Sequence, residues 1–308
     1  MSVRTRIEID APDISPYRAG NTGIPYVTRF DSGRAGPHVL VNALTHGNEI
    51  CGAVALVELF RSGVRPARGK LTLSFANVAA YLQFDRANPN ASRYVDEDFN
   101  RLWDTETLEG PRRSSELARA RQLRPLYASA DFLLDIHSMQ HPTAPLMLVG
   151  LAPKTVAFAR ALGVPELLVR DAGHAAGSRI RDYGAFADPA AAPLALLVEC
   201  GQHWERRAAE VAIDTMWRFL AATGVVERAT APALPQRLIT VTDVVTIASD
   251  DFRFTADYRG LEVIAKAGTV IARDAGREIR TPYDECVLIM PSRRLGRGQT
   301  AVRLGRFG

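Results

Sequence analysis

Cysteine is scarce in this 308-residue chain: Cys51, Cys200 and Cys286 are odd in number and far apart, which excludes a disulfide framework and a clustered thiolate metal site. They are expected to be buried, reduced thiols. Lysine is rarer still, with Lys70, Lys154 and Lys266 the only three among 38 basic residues. The pI near 9.1 therefore reflects an arginine preference rather than a basic face, because the net charge is only +4 and basic residues alternate with acidic ones. Nucleic acid is accordingly not expected as a partner. Only the stretch SRRLGRGQTAVRLGRFG, 292–308, carries a single sign of charge, and it reads as a solvated tail. No apolar run approaches the ~20 residues that cross a bilayer, and MSVRTRIEIDAPDISPYRAG lacks the apolar segment of a signal peptide. No membrane association and a cytoplasmic address are expected. Repeats and low-complexity tracts are also missing. What remains, 47% apolar and 23% charged, is the composition of a globular protein long enough for one large domain and a smaller one.

Apolar β-rich runs alternate with helical patterns through the first two thirds. Strands are expected at HVLVNAL (38–44), KLTLSFAN (70–77), DFLLDIHS (131–138), PLMLVG (145–150) and PLALLVEC (193–200). Helices are expected over about 49–61, 114–130, 152–163 and 204–222. Near-continuously apolar strands separated by helices imply an α/β fold with a mostly parallel or mixed sheet buried on both faces. This domain is placed at 1–224. The polar, proline-bearing stretch 227–236 reads as a linker, and 237–308, rich in β-branched residues and Gly turns, as a small C-terminal β domain.

Four segments carry chemistry. In LTHGNEICGA, His46 and Glu49 stand three apart where a strand ends and a helix begins, so both can reach one metal ion, or else they are a turn residue and a first-turn carboxylate favoured by the helix dipole. In LLDIHSM, His137 falls at the end of an apolar strand, the end at which α/β sheets bind ligands. Asp135, on the same side of that strand, could accept the imidazole N–H or pair with an arginine. In PLALLVECGQHW, Glu199 ends another apolar strand, where burial raises a carboxylate's pKa toward that of a general base. His203, four residues on, could touch substrate or pack at a helix start. The polar loop ASRYVDEDFNRLWD offers Arg93, Asn100 and Arg101, suited to carboxylate recognition or to solvated surface.

In this order HGNE, SRY, DFNR, DIH and VECG resemble the motifs of the aspartoacylase and succinylglutamate desuccinylase family. The resemblance covers roughly 38–222 and implies a zinc-carboxypeptidase-like mixed sheet flanked by helices, followed by a small β domain. It implies that His46, Glu49 and His137 hold one Zn2+, that Glu199 is the catalytic glutamate, that Arg93 polarises the scissile carbonyl, and that Asn100 and Arg101 grip a substrate carboxylate. Two imidazoles and one carboxylate would leave the ion net positive and able to activate water near neutral pH. The activity implied is hydrolysis of the amide of a small N-acyl amino acid or related N-acylated amine, and the family's habit implies a homo-oligomer. Two other readings use the same residues: a metallocarboxypeptidase acting on peptides, and a non-catalytic carboxylate-binding protein.

The chain departs from the pattern before Glu199. The family has an arginine shortly ahead of its glutamate, whereas here the arginines are Arg179 and Arg181, twenty and eighteen residues upstream. Both are candidates for substrate binding, and the shifted register argues against N-acetylaspartate as the substrate. Tyr283, in TPYDECVLIMP, is the candidate for a family tyrosine at the pocket entrance.

Overall fold

The computed structural model describes residues 6–173, 176–293 and 295–308. In chain order the elements are β1 (Val27–Asp31), β2 (His38–Ala43), α1 (Ile50–Arg61), β3 (Lys70–Phe75), α2 (Val78–Tyr81), α3 (Thr105–Glu109), α4 (Ser115–Ala128) and β4 (Phe132–Met139). There follow β5 (Leu146–Val149), α5 (Pro153–Leu162), β6 (Leu167–Arg170), β7 (Leu194–Gln202) and α6 (Arg206–Ala222). The rest is β: β8 (Arg237–Thr246), β9 (Arg253–Phe254), β10 (Glu262–Ile264), β11 (Val270–Asp274), β12 (Arg277–Arg280), β13 (Cys286–Ile289) and β14 (Thr300–Phe307).

The expected α/β class holds, and the sheet is mixed. Among the described residues it has eleven strands, ordered β1-β3-β2-β4-β7-β5-β6-β8-β14-β13-β10, beside a three-stranded sheet β12-β11-β9. Strands β3, β2, β4 and β7 run parallel; β5 joins β7 antiparallel, and β6 then pairs parallel with both β5 and β8. Strands β8, β14, β13 and β10, after residue 236, thus continue the same sheet as those before it, while β9, β11 and β12 form the smaller one.

Alternation along the strands decides which side chains meet which helices. Val39, Val41, Ala43, Leu134 and Ile136 pack with α1, α5 and α6 in one core. Leu40, Leu133 and Ala195 face the other way, onto Leu117, Ala120, Leu123 and Tyr127 of α4 and onto Phe99, Leu102 and Trp103. Period two then puts Asp135, His137 and Glu199 on this second face, at the carboxyl ends of β4 and β7. Helix ends follow local chemistry: the Ser114 side chain caps α4 through the Leu117 N–H at 2.9 Å, and α5 opens on Pro153 and stops at Gly163, left-handed at φ 67°.

One expectation is corrected. The basic stretch 292–308 is not a solvated tail: 300–307 form β14, inserted between β13 and β8, with Ala301, Val302, Arg303 and Leu304 buried. The alternation T-A-V-R-L-G-R-F makes a strand, and its charge count concealed that. Arg294 lies outside the described residues. The three cysteines are buried and free, as expected.

Candidate metal centre and substrate pocket

After β2 the chain turns through Leu44, buried and left-handed at φ 61°, a conformation a branched side chain adopts only when its surroundings enforce it. Gly47 follows; a Cβ there would run into the Ser92 carbonyl oxygen and the Tyr81 nitrogen, and its N–H donates to the Arg93 carbonyl at 3.0 Å. This close approach locks the 91–93 turn onto the 45–49 turn. Glu49 occupies the N-cap of α1, yet its side chain caps nothing. Its Oε1 instead lies 2.7 Å from His46 Nδ1 and accepts from Arg93 at 3.1 Å. Its Oε2 lies 2.9 Å from His137 Nδ1 and accepts from the Ser138 N–H at 3.1 Å.

His46, Glu49 and His137 thus converge, with one ligand atom from each inside a mutual 4.8 Å and all three residues buried. Two imidazoles and a carboxylate are a donor set suited to zinc. The electrostatics also fit a cation. Burial opposes a charge on His137, but Asp135 and Glu49 outweigh it and raise its pKa well above the usual value; burial opposes ionisation of Glu49, but His46 and His137 hold its pKa well below normal. Asp135 fixes the far side of His137, with Oδ2 2.8 Å from Nε2, while its Oδ1 accepts from Asn42 and Thr45, both at 2.8 Å. Asp135 pairs with histidine, not arginine.

Glu199 lies directly beside His137 in the β4–β7 register. It is buried, and its Oε2 has no hydrogen-bond partner among the described residues. Burial first, and the charge of Glu49 second, raise its pKa to about 8, against the pull of His137 and Arg93. Arg93 faces the same space, with Nη2 2.9 Å from His46 Nε2 and 3.2 Å from Asp98 Oδ2. Asp98, 3.0 Å from His46 Nε2, is a participant that sequence reasoning passed over, although it opens the DFNR motif.

Arg179 and Arg181 arrive by a route that register alone did not reveal. Residues 177–180 lie against 100–103: Ser178 bridges Leu102, the Ile180 N–H donates to Asn100 Oδ1 at 2.8 Å, and the Trp103 N–H donates to the Ser178 carbonyl at 3.2 Å. Gly177, at φ 133°, permits this, since a Cβ would strike the Arg101 carbonyl oxygen. Arg179 donates to Asp171 at 2.7 Å and Asp182 at 2.6 Å, and Arg181 donates to Asp182 at 2.6 Å. Arg303 of β14 joins them, 3.3 Å from Asp171. Its sequence signal was its place between Val302 and Leu304 in a strand pattern.

Two further candidates, His203 and Tyr283, have side-chain contacts of their own. His203 is buried with Nδ1 2.9 Å from Ser138 Oγ, the residue that follows His137 in the chain. Tyr283 has its hydroxyl 2.5 Å from Thr242 Oγ1 of β8 and its ring under Arg306 of β14.

Residues 35–223 match the family model described as the succinylglutamate desuccinylase/aspartoacylase catalytic domain. Comparison with curated proteins by sequence gave no match. Among solved structures, the chain is similar to succinylglutamate desuccinylase from Vibrio cholerae, with 17% identity over 92% of this chain and 86% of that one and a TM-score of 0.67. It is similar to succinylglutamate desuccinylase from Chromobacterium violaceum at 18% identity, over 93% and 89% of the two chains, with a TM-score of 0.67. It is also similar to the product-bound ectoine utilization protein EutE (DoeB) from Ruegeria pomeroyi at 18% identity, over 93% and 92%, with a TM-score of 0.64. At these identities the likeness is one of fold.

Proposed function

Since the chain belongs to the succinylglutamate desuccinylase/aspartoacylase family through its catalytic domain, we propose that it is a zinc-dependent deacylase, hydrolysing the amide of a small N-acyl amino acid or related N-acylated amine. The observation that carries this reading is the convergence of His46, Glu49 and His137 beside Glu199, whose buried carboxyl has an elevated pKa and one unpartnered oxygen. A carboxylate placed this way serves no binding protein, but it suits a group that must gain and lose a proton near neutral pH.

Zinc held by His46, Glu49 and His137 would act as a Lewis acid on a water or carbonyl oxygen. The remaining work belongs to side chains. Glu199 takes the proton of the attacking water as its oxygen bonds to the acyl carbon, then returns it to the nitrogen as the C–N bond breaks, releasing a carboxylate and an amine. Arg93, held by Asp98 and Glu49, donates to the negative charge that develops on the carbonyl oxygen. Asn100 and Arg101 hold the carboxylate of the amino-acid half and so fix the scissile bond against the water. Asp135 keeps the His137 ring in one orientation. Residues 1–224 supply the metal ligands, and 237–308 form a smaller unit against them. The buried free thiols suit a reducing compartment, and we place the enzyme in the cytoplasm.

The test is metal analysis with a hydrolysis panel of N-acyl amino acids, dipeptides and longer peptides. Amine release from the acylated amino acids, zinc bound in equal amount by wild type and Glu199→Gln, and loss of turnover in the variant are expected. Preferential cleavage of peptides, or undiminished turnover by Glu199→Gln, would remove the reading.

A further inference from the structure

Glu116 is a buried carboxylate to which the mechanism gives no task. It stands in the first turn of α4 at 0% exposure. Its Oε1 accepts from Asn77 Nδ2 at 3.0 Å and from the Val95 N–H at 2.7 Å. Its Oε2 accepts from the Asp96 N–H at 3.0 Å and the Glu97 N–H at 3.3 Å. All four partners among the described residues are neutral donors, and four is the number that an ionised carboxylate's two oxygens can accept. Three successive backbone N–H groups turned to one anion form a nest. A buried charge without a counter-charge is costly; the four bonds and the start of α4 offset that cost, and in doing so they fix the path of 95–97.

That path runs between two residues of the site. Arg93 and Asp98 flank 95–97, close on each other at 3.2 Å, and both reach His46 Nε2. Asp96 completes the clasp, its Oδ2 accepting the Ser115 N–H of α4 at 2.7 Å. Asn77 extends it toward the candidate ligands, since its N–H donates to the Leu44 carbonyl at 2.8 Å, two residues ahead of His46. The far half of the same loop has different anchors: Asn100 is held by the Ile180 N–H, and Leu102 bridges Ser178. Glu116 therefore bears on Arg93 and Asp98, whereas 177–180 bear on Asn100 and Arg101.

We propose that Glu116 is a positioning residue: as an internal anion it holds 95–97 and so aims the Arg93 guanidinium at the carbonyl oxygen of the substrate. The catalytic consequence rests on the deacylase reading, while the hold on the loop can be measured apart from turnover.

Glu116→Gln in the zinc-loaded protein tests it. Each oxygen of Glu116 takes two donors, so whichever way the glutamine amide turns, its NH2 faces two N–H groups. Hydrogen exchange read by mass spectrometry should quicken about tenfold or more at 95–97, the range of a lost charge-assisted bond, with no change at Trp103 and Ile180. With the N-acyl amino acid of the panel that turns over fastest, kcat should fall about ten- to a hundredfold and KM stay within about twofold. In an Arg93→Ala background the same substitution should lower kcat by less than about twofold, because the group through which Glu116 acts is already gone. Unchanged exchange at 95–97, a loss confined to KM, or kcat losses that multiply would overturn the proposal. If Glu116→Gln melts well below wild type, Asn77→Ser takes its place: serine keeps an oxygen for the α2 cap and removes the amide donor to Glu116. It should quicken exchange at 95–97 and lower kcat about three- to tenfold; wild-type values for both would also overturn the proposal. Quickened exchange at 95–97 in Glu116→Gln, with no amide hydrolysed even by wild type, would sink the deacylase reading and leave the hold of Glu116 on the loop standing.

Discussion

On the proposed mechanism, single side chains in this site divide between those that meet charge appearing during reaction and those that hold the substrate beforehand. Arg93, facing Glu49 and His46, is of the first kind, and Arg93→Ala should lower kcat by about 10²- to 10³-fold with little change in KM. Arg101→Ala should chiefly raise KM, and steady-state kinetics showing the opposite split would exchange the two roles. Asp171 is buried between Arg179 and Arg303. Asp171→Asn removes the buried charge that both guanidinium groups share, so urea unfolding should register a loss of about 3–5 kcal/mol. Burial raises the Asp171 pKa, but Arg179 and then Arg303 more than offset this, so the folded value is depressed. Its contribution is therefore present above the unfolded carboxyl value and lost as pH falls through the lower folded one. His46, Glu49, His137 and Glu199 stood out in the sequence because polar groups at the ends of apolar strands are conspicuous. Asp98 and Arg303 did not, since a charge in a polar loop or a basic stretch looks like one that faces water.

Among elements, the strands that lead to or carry the candidate site residues were the most legible, because burial on both faces writes a near-continuous apolar run into β2, β4 and β7. Helices α1, α5 and α6 were found within two residues of their ends, with α4 also recognised. The short α2 and α3, and strands β1 and β6, were not anticipated; pieces of four or five residues carry too little periodicity to separate from a loop. The path of 176–183 was hidden for another reason. Its placement depends on Ile180 and Ser178 finding Asn100 and Trp103, a contact between loops that no local pattern encodes. The junction at Gly47 yields a direct test. Gly47→Ala should push apart the turns that carry Glu49 and Arg93, destabilising the fold by about 1–3 kcal/mol and reducing kcat. A melting curve and initial rates superimposable on wild type would show that the contact has slack.

For the molecule as a whole, a metal that binds only the assembled site should stabilise the fold by mass action, by about 2.7 kcal/mol at a hundredfold excess over its Kd. Chelation should therefore lower both the melting temperature and the activity, and added zinc should return both; a melting temperature indifferent to chelator would argue against a metal at His46, Glu49 and His137. The joining of the two halves into one sheet was not legible, since strand order is fixed by which edges meet rather than by any single segment. It has a kinetic side. Arg303 must reach Asp171, and β14 slots between β8 and β13 by pairings such as Ile239 with Phe307. Contacts so distant in the chain form against loop-closure entropy. A refolding chain would regain helical content well before β14 closed the sheet between β8 and β13, so that the joined sheet is among the last features this molecule acquires.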